Sequence, residues 1–162
     1  MRYRSGIGYD VHQFAEGRPL ILGGVMIEHA RGLAGHSDAD VLSHAIADAV
    51  LGAIGERDIG YFFPPEDDSI EGICSLDILK KAAELVREKG GRIENVDATL
   101  VAEAPKITPH VLAMKAAVAG ALGIDSDDLG IKATTNEQMG FVGREEGMAA
   151  LAVASIALPE KK

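Results

Sequence analysis

GMAALAVASIAL, residues 147–158, is the stretch whose reading decides the fold. Its twelve residues carry no charge and allow two structures. As a helix they would reach roughly 18 Å, well short of a hydrocarbon core of about 30 Å, so the segment is expected to be buried and not membrane-spanning. A continuous apolar run bounded by turn signals equally suits a strand inside a sheet, while its alanines also suit a buried helix. We read it as a strand, because the glycine-rich NEQMGFVGREEG (136–147) before it has the composition of a loop between strands.

The rest of the chain sorts around that strand. GIGYDVHQF (6–14) alternates as a strand, and LILGG (20–24) is a second, short one stopped by glycines. From Ser37 to Ile54 the period is helical, with Leu42, Ala45, Ile46, Ala49, Val50 and Ala53 on one face. Ser37 followed by Asp40 resembles a capping pair at the start of that helix. ERDIGYFFPPEDDS (56–69) reads as a loop. LDILKKAAELVREKGG (76–91) is an amphipathic helix with Ile78, Leu79, Ala82, Leu85 and Val86 inward. RIENVDATLVAE (92–103) is a long strand, TPHVLAMKAAVAGALG (108–123) a third helix closed by Gly123, and LGIKATT (129–135) a further strand. This order predicts an α/β (α+β) fold: a single domain over residues 1–162, with a mixed β-sheet covered on one face by helices.

Composition narrows the function. The chain has 162 residues and a formal charge of −9, with no Trp, three Tyr and four Phe. A nucleic-acid surface would need a basic face with stacking side chains, so no nucleic-acid partner is expected. An anionic substrate remains compatible, because a metal ion reverses the local field. The single cysteine, Cys74, forms no intrachain disulfide and fits a reducing compartment. It is expected to be buried or half-buried. MRYRSGIGYD, at the start, has no apolar core of a secretory signal, so a cytoplasmic protein with no membrane partner is expected.

Chemistry concentrates in three places. Asp10 and His12 are two apart on a strand and so share a face. GHSDADVLSHA (35–45) adds His36, Asp40 and His44 at a helix start. Two imidazoles and a carboxylate make a zinc set that leaves a fourth position for a substrate oxygen. The same residues are equally a polar strand and a capped helix that need no metal. Asp40 is open between ligand and supporting contact, since it shares a helix face with His44 at i, i+4. KATTNEQMGFVGR (132–144) offers hydroxyls, Glu137, Arg144 and glycines through which backbone N–H groups reach a phosphate, or is a polar turn. AEAPKITP (102–109) sets Lys106 between two prolines, as a phosphate contact or a solvated turn. His29 and His110 read as surface histidines.

YDVHQF, GHSDADVLSHAIADA, DIGYFFP, AEAPKITPH and KATTNEQMGFVGR, in this order and spacing, resemble the 2-C-methyl-D-erythritol 2,4-cyclodiphosphate synthases over residues 7–158. That resemblance implies a homotrimer with active sites between neighbouring subunits. It implies cyclisation of 4-diphosphocytidyl-2-C-methyl-D-erythritol 2-phosphate, whose 2-phosphate attacks its own diphosphate and expels CMP, in non-mevalonate isoprenoid synthesis. By the family pattern Asp10, His12 and His44 bind Zn2+, and Glu137 with the diphosphate holds Mg2+ or Mn2+. His36 and Thr135 match transition-state-stabilising positions, and Ser37 joins His36 at the substrate phosphates. Asp58, Ile59 and Gly60, with Phe63, Pro64, Pro65, Glu66 and Asp67, would hold the methylerythritol. The neighbouring subunit would supply Ala102, Glu103, Ala104, Pro105, Lys106, Ile107 and Thr108, with Thr134 and Asn136, to the cytidine diphosphate. Phe141 and Arg144 match further substrate contacts. Three ligands and an open position would also suit a zinc phosphoesterase, and a trimeric isoprenoid-diphosphate-binding protein without turnover is a third reading.

Five positions depart from the family pattern. Ala39 stands where glycine is common, a mild change if its φ is negative. Pro65-Glu66 alters the loop over the erythritol, leaving contacts there to Asp67 and backbone groups. Glu145 replaces a frequent glycine. Leu151 replaces a residue often polar near the trimer axis, which puts axial isoprenoid-diphosphate binding in doubt.

Overall fold

The computed structural model of the chain describes residues 1–161. Its elements in order are β1 (Arg2–Ala15), β2 (Leu20–Leu22), β3 (Val25–Ile27), β4 (Gly32–Leu33), α1 (Val41–Ala53), α2 (Ile59–Phe62), α3 (Ser75–Glu88), β5 (Arg92–Val101), α4 (Val111–Leu122), β6 (Leu129–Thr134), α5 (Gly140–Gly143) and β7 (Gly147–Leu158). Residues 147–158 are a strand, and a central one. The sheet runs β4-β1-β7-β5-β6, with β7 antiparallel to both neighbours and β5 parallel to β6. The sheet is therefore mixed, as expected. β2 and β3 form a separate hairpin.

The strand wins over the helix because β1 and β5 flank it along nearly its whole length and satisfy its backbone on both sides. Its even-numbered residues, from Met148 through Ala154 to Leu158, are buried under the helices. Leu151 and Val153, of opposite parity, are 41% and 46% exposed. One face of the sheet carries the core and the other is open at its centre.

α1 lies against β1 unusually closely, and two glycines permit it. A Cβ at Gly6 would sit 2.1 Å from the Ala49 carbonyl oxygen, and one at Gly8 only 1.8 Å from that of Ala45. Both are overlaps that no side chain can relieve. Gly6, Gly8, Asp10 and His12 share one parity of β1, so the surface that admits the helix continues directly into two polar side chains. The expected inward residues of α1 are all fully buried, but the helix buries Val41, Ser43, His44, Ala47 and Leu51 as well. It is a core helix enclosed by sheet, α3 and loops, not an amphipathic one.

Several boundaries differ from the expectation. α1 starts at Val41, not Ser37, because Asp40 is its N-cap. The Asp40 carboxylate accepts from the Ser43 N–H (3.0 Å) and hydroxyl (2.7 Å) and from the Gly23 and Gly24 N–H groups at 2.9 and 2.7 Å. That pins the β2–β3 hairpin to the helix start and uses Asp40 up: it is fully buried and takes no part in a site. Burial pushes its pKa up, against four hydrogen bonds that favour the ionised form. Residues 56–69 contain α2, and 136–147 contain α5, where loops were expected. Thr108–His110 is a 3-10 turn ahead of α4. Cys74 is exposed at the N-cap of α3, not buried. His29 is half-buried with its ring 5.7 Å from that of Phe14, and His110 is half-buried too. Among the described residues no helix is long and apolar enough to cross a membrane.

The condition for a mild change at Ala39 is not met: its φ is +57°, and that of Glu145 is +56°. Both occupy the left-handed region, which costs a non-glycine residue about 1–2 kcal/mol. Glu145 is exposed and gives up nothing when trimmed, whereas the Ala39 methyl is fully buried. Glu145→Gly should therefore stabilise the fold by about 0.5–1 kcal/mol after glycine's own entropy, raising Tm by about 2 °C. Ala39→Gly loses a buried methyl of about 0.8 kcal/mol and should leave Tm level or lower. Thermal melts of the two variants check this, and an equal rise in both would show that the methyl contributes nothing.

Candidate active site

β1 delivers Asp10 and His12 to the helix side of the sheet, and the first turn of α1 delivers His44 to the same point. The Asp10 Oδ2 lies 2.8 Å from His12 Nε2 and 3.1 Å from His44 Nδ1, and the two ring nitrogens are 3.2 Å apart. Donors around a tetrahedral zinc ion, with bonds of about 2.0–2.2 Å, stand roughly 3.3 Å apart. The triangle is that size, less a small contraction. The donor set fits zinc: two borderline nitrogens and one carboxylate, with room for a fourth ligand.

The surroundings prepare these atoms for a cation. His12 Nδ1 donates to the Ala34 carbonyl at 2.7 Å, which leaves Nε2 as the nitrogen that faces Asp10 and His44. His44 Nε2 lies 2.8 Å from Ser75 Oγ and 3.1 Å from Ser37 Oγ. Burial acts to raise the Asp10 pKa, but hydrogen bonds and charge from His12 and His44 outweigh it and bring it down to about 2. For His12 burial acts downward, and the Asp10 carboxylate reverses this, so its pKa is raised. A fixed negative charge thus sits between two imidazoles where a cation would replace the shared protons.

The triad forms the floor of a cavity of about 220 Å³. Asp10, His12, His44, His36 and Ser37 supply its polar side, and Ile59, Gly60, Phe63, Pro65, Ile70, Ile73 and Ile78 its apolar wall. His36 Nε2 donates to the Asp67 carbonyl at 3.2 Å, which ties the histidine to the loop over the cavity. The Asp67 carboxylate itself turns to the Ser69 N–H and hydroxyl (3.0 and 2.6 Å). Asp58, Pro64 and Glu66 do not line the cavity, and Asp58 and Glu66 are exposed.

The other two clusters meet each other, not the triad. The Ala102 N–H donates to the Thr134 carbonyl at 2.9 Å, and Glu103 Oε1 accepts from the Asn136 and Gln138 N–H groups at 3.1 and 3.0 Å. Thr135 Oγ1 accepts from the Glu137 N–H at 3.2 Å. Glu137 and Gln138 both hold left-handed φ, at +52° and +61°, so this loop is strained as well as exposed. Lys106, Thr108, Thr134 and Thr135 are exposed, and Ala102 and Ile107 are buried beneath them. Register places Asp10 beside Ala150, Ala150 beside Leu100 and Leu100 beside Ala133. The two halves therefore stand at the same height, three strands or about 14 Å apart. Phe141 lines a separate cavity of about 300 Å³ with Val11, His12, Gln13, Glu146 and Gly147. Arg144 is exposed and paired with Glu146 at 3.1 Å.

Four supporting residues were not foreseen. Ser75 and the Ala34 carbonyl hold the two histidines. Asp48 Oδ1 accepts the Ile59 N–H at 2.8 Å and sets the start of α2; burial raises its pKa. Arg18 donates to the carbonyls of Gly35 (3.0 Å) and Ser37 (2.8 Å), clamping both sides of His36. None has a local signal, since each partner lies 11 to 31 residues away in sequence.

Comparison with known proteins gives this geometry a setting. A protein of Akkermansia muciniphila named 2-C-methyl-D-erythritol 2,4-cyclodiphosphate synthase is 63% identical over 157 residues, covering 96% of this chain and 93% of its own length. The bifunctional IspDF of Campylobacter jejuni superimposes with a TM-score of 0.93 at 42% identity. The match covers 98% of this chain but only 43% of that one, so this chain spans less than half of the bifunctional protein. IspF of Plasmodium falciparum, solved as a CDP complex, has a TM-score of 0.84 at 32% identity and matches 98% of this chain and 97% of its own. The YgbB family model matches residues 3–157, which takes in the triad, the cavity loop and both strand-end clusters, and the chain belongs to the YgbB family.

Proposed function

We infer that the chain converts 4-diphosphocytidyl-2-C-methyl-D-erythritol 2-phosphate to 2-C-methyl-D-erythritol 2,4-cyclodiphosphate with release of CMP, a phosphorus–oxygen lyase step in non-mevalonate isoprenoid synthesis. The observation that carries this reading is the convergence of Asp10, His12 and His44 on one point at the floor of a cavity whose walls hold His36 and Ser37. Asp10, His12 and His44 would hold Zn2+ and Glu137 would help hold Mg2+ or Mn2+, and these ions would supply Lewis-acid polarisation and charge neutralisation at the phosphates. Ser37 presents its hydroxyl hydrogen to a phosphoryl oxygen, and His36 with Thr135 faces the charge that develops as CMP departs. Ile59, Gly60, Phe63 and Pro65 exclude water from the methylerythritol, which favours ring closure over hydrolysis. Attacker and target belong to one molecule, so the protein has only to hold a near-attack geometry, an effect of up to about 7–11 kcal/mol. No protein nucleophile is required, in keeping with phosphoryl transfer by positioning and electrostatics.

The cytidine half of the site falls to the strand ends. Residues 102–108, with Thr134 and Asn136, line the nucleotide in this reading; Lys106 lies near the phosphates, and Phe141 and Arg144 add contacts. The CDP complex of the Plasmodium falciparum relative supports a cytidine diphosphate ligand. Residues 102–108, Thr134 and Asn136 stand two or three strands from the triad within one chain and do not line its cavity, which supports a homotrimer that joins one subunit's β6 end to its neighbour's triad. The open sheet face, with Ile7 71% and Tyr9 56% exposed beside Leu151 and Val153, supports the same assembly. The lone thiol supports a cytoplasmic site of action.

Four outcomes are expected. His44→Ala should stay folded but lose tight zinc and nearly all CMP release, read by metal analysis and by product identification with the diphosphocytidyl substrate. Zinc retained at full stoichiometry would remove His44 from the ligand set, and a hydrolysis product in place of the cyclic diphosphate would point to a phosphoesterase. Protons compete with metal for the imidazole nitrogens, and Asp10 keeps His12 protonated to a higher pH than a free histidine. Zinc affinity should therefore already be falling above about pH 6.5 and drop at least about tenfold between about pH 7.5 and about pH 5.5. Chelator competition at stepped pH measures this, and a flat profile would exclude imidazole ligands. Light scattering should give three times the 17.0 kDa chain mass. Co-expressed His44→Ala and Glu137→Gln chains should recover CMP release that neither has alone, because a mixed trimer contains sites built from two intact halves.

A further inference from the structure

We infer that Ser75 is the positioning residue that selects which nitrogen of His44 faces the metal, and that Asp38 enforces the choice. The inference rests on the metal reading above and extends it to a residue outside the ligand set.

The case is one of counting hydrogens. Asp38 has acceptors only. Its Oδ2 takes the Ser75 N–H at 2.9 Å, and its Oδ1 takes the Asp40 N–H at 3.2 Å and the Ser75 hydroxyl in a short contact. A serine hydroxyl has one hydrogen, and that of Ser75 is spent on Asp38. Towards His44 Nε2, 2.8 Å away, Ser75 Oγ can act only as an acceptor. Nε2 must therefore carry a hydrogen, which makes Nδ1, the atom facing Asp10 and His12, the nitrogen that can yield its proton to a cation. His12 is set the opposite way round, with Nδ1–H on the Ala34 carbonyl and Nε2 towards the metal point. Each histidine thus has one nitrogen fixed as a donor to the protein and the other turned to the metal point.

The same count frees a second residue. Ser37 Oγ is also near His44 Nε2, at 3.1 Å, and accepts the Ala39 N–H at 3.1 Å. Because Nε2 carries a hydrogen, Ser37 cannot donate to it. Its own hydroxyl hydrogen is left for the cavity, where a phosphoryl oxygen can accept it. Ser75 is itself fully buried, so the alternative of water taking its place is closed.

The test needs no active enzyme. In metal-free protein labelled with 15N-histidine, long-range 1H–15N correlation should show His44 with hydrogen on Nε2, and on zinc binding it is Nδ1 that should be metallated; a bare Nε2 would overturn the assignment. Ser75→Ala should weaken zinc binding by about 10–100-fold in chelator competition and broaden the visible spectrum of the Co2+ form. Ser75→Thr, which keeps the hydroxyl, should restore both. Zinc affinity unchanged in Ser75→Ala, or lost equally in Ser75→Thr, counts against the role. Wild-type protein that shows the expected tautomer yet binds no zinc would instead defeat the metal reading and leave the tautomer assignment standing.

Discussion

Everything functional in this fold depends on how near α1 comes to β1. Two carbonyl oxygens of the helix occupy the space where side chains at residues 6 and 8 would be, so the helix backbone rests on the strand backbone. At an ordinary helix–sheet distance His44 would stand several ångströms off, and its ring nitrogen could not share a point with Asp10 and His12. The glycines and the ligands are one alternating series on one strand. The packing rule that places the helix also aims the carboxylate and the imidazole.

The buried acids divide into those that hold the frame and the one that faces a ligand. Asp40 caps α1 and fastens the β2–β3 hairpin, Asp38 fastens α3, Asp48 starts α2, and each is consumed by backbone or hydroxyl donors. Asp10 alone receives only imidazoles. That difference explains how a chain of net charge −9 keeps one carboxylate available for a cation. Asp38, Asp40 and Asp48 have their negative charge met by hydrogen bonds, so Asp10 is the one acid beside the two imidazoles that no backbone or hydroxyl donor engages.

What the sequence made legible follows from the range of the interactions involved. Alternation along 6–14 put Asp10 and His12 on one face, and helical period put Ala45, Ala49 and Ala53 on another; both rest on contacts within a few residues. The sheet order, the meeting of 102–108 with 134–138 and the Ser75 contact are set by partners tens of residues apart, for which no local pattern exists. Asp40 was ambiguous for a related reason. A capping acid and a ligand acid look alike in sequence, and only the hairpin that comes to it from residues 23 and 24 decides between them. The backbone of Ala39 was not legible because the sign of φ at a helix entrance is fixed by the loop's path between Arg18's two carbonyl contacts and the cap, not by the residue's own preference.

The geometry of the sheet also bears on why the site should need more than one chain. Strands β1, β5 and β6 run parallel, and β5 and β6 end at the level of Val11, so Asp10 and His12 on β1 share a level with the loops that follow β5 and β6. Yet β7, inserted antiparallel between β1 and β5, pushes the two functional ends apart by an extra strand. A substrate with a nucleotide at one end and a sugar phosphate at the other cannot be gripped by both within a single subunit without crossing the width of the sheet. In the homotrimer proposed above, rotation about an axis beside the open face would bring one subunit's β6 edge to another's β1 edge and turn that separation into a cleft. The central strand β7 would then be what makes self-association the economical way to complete the site.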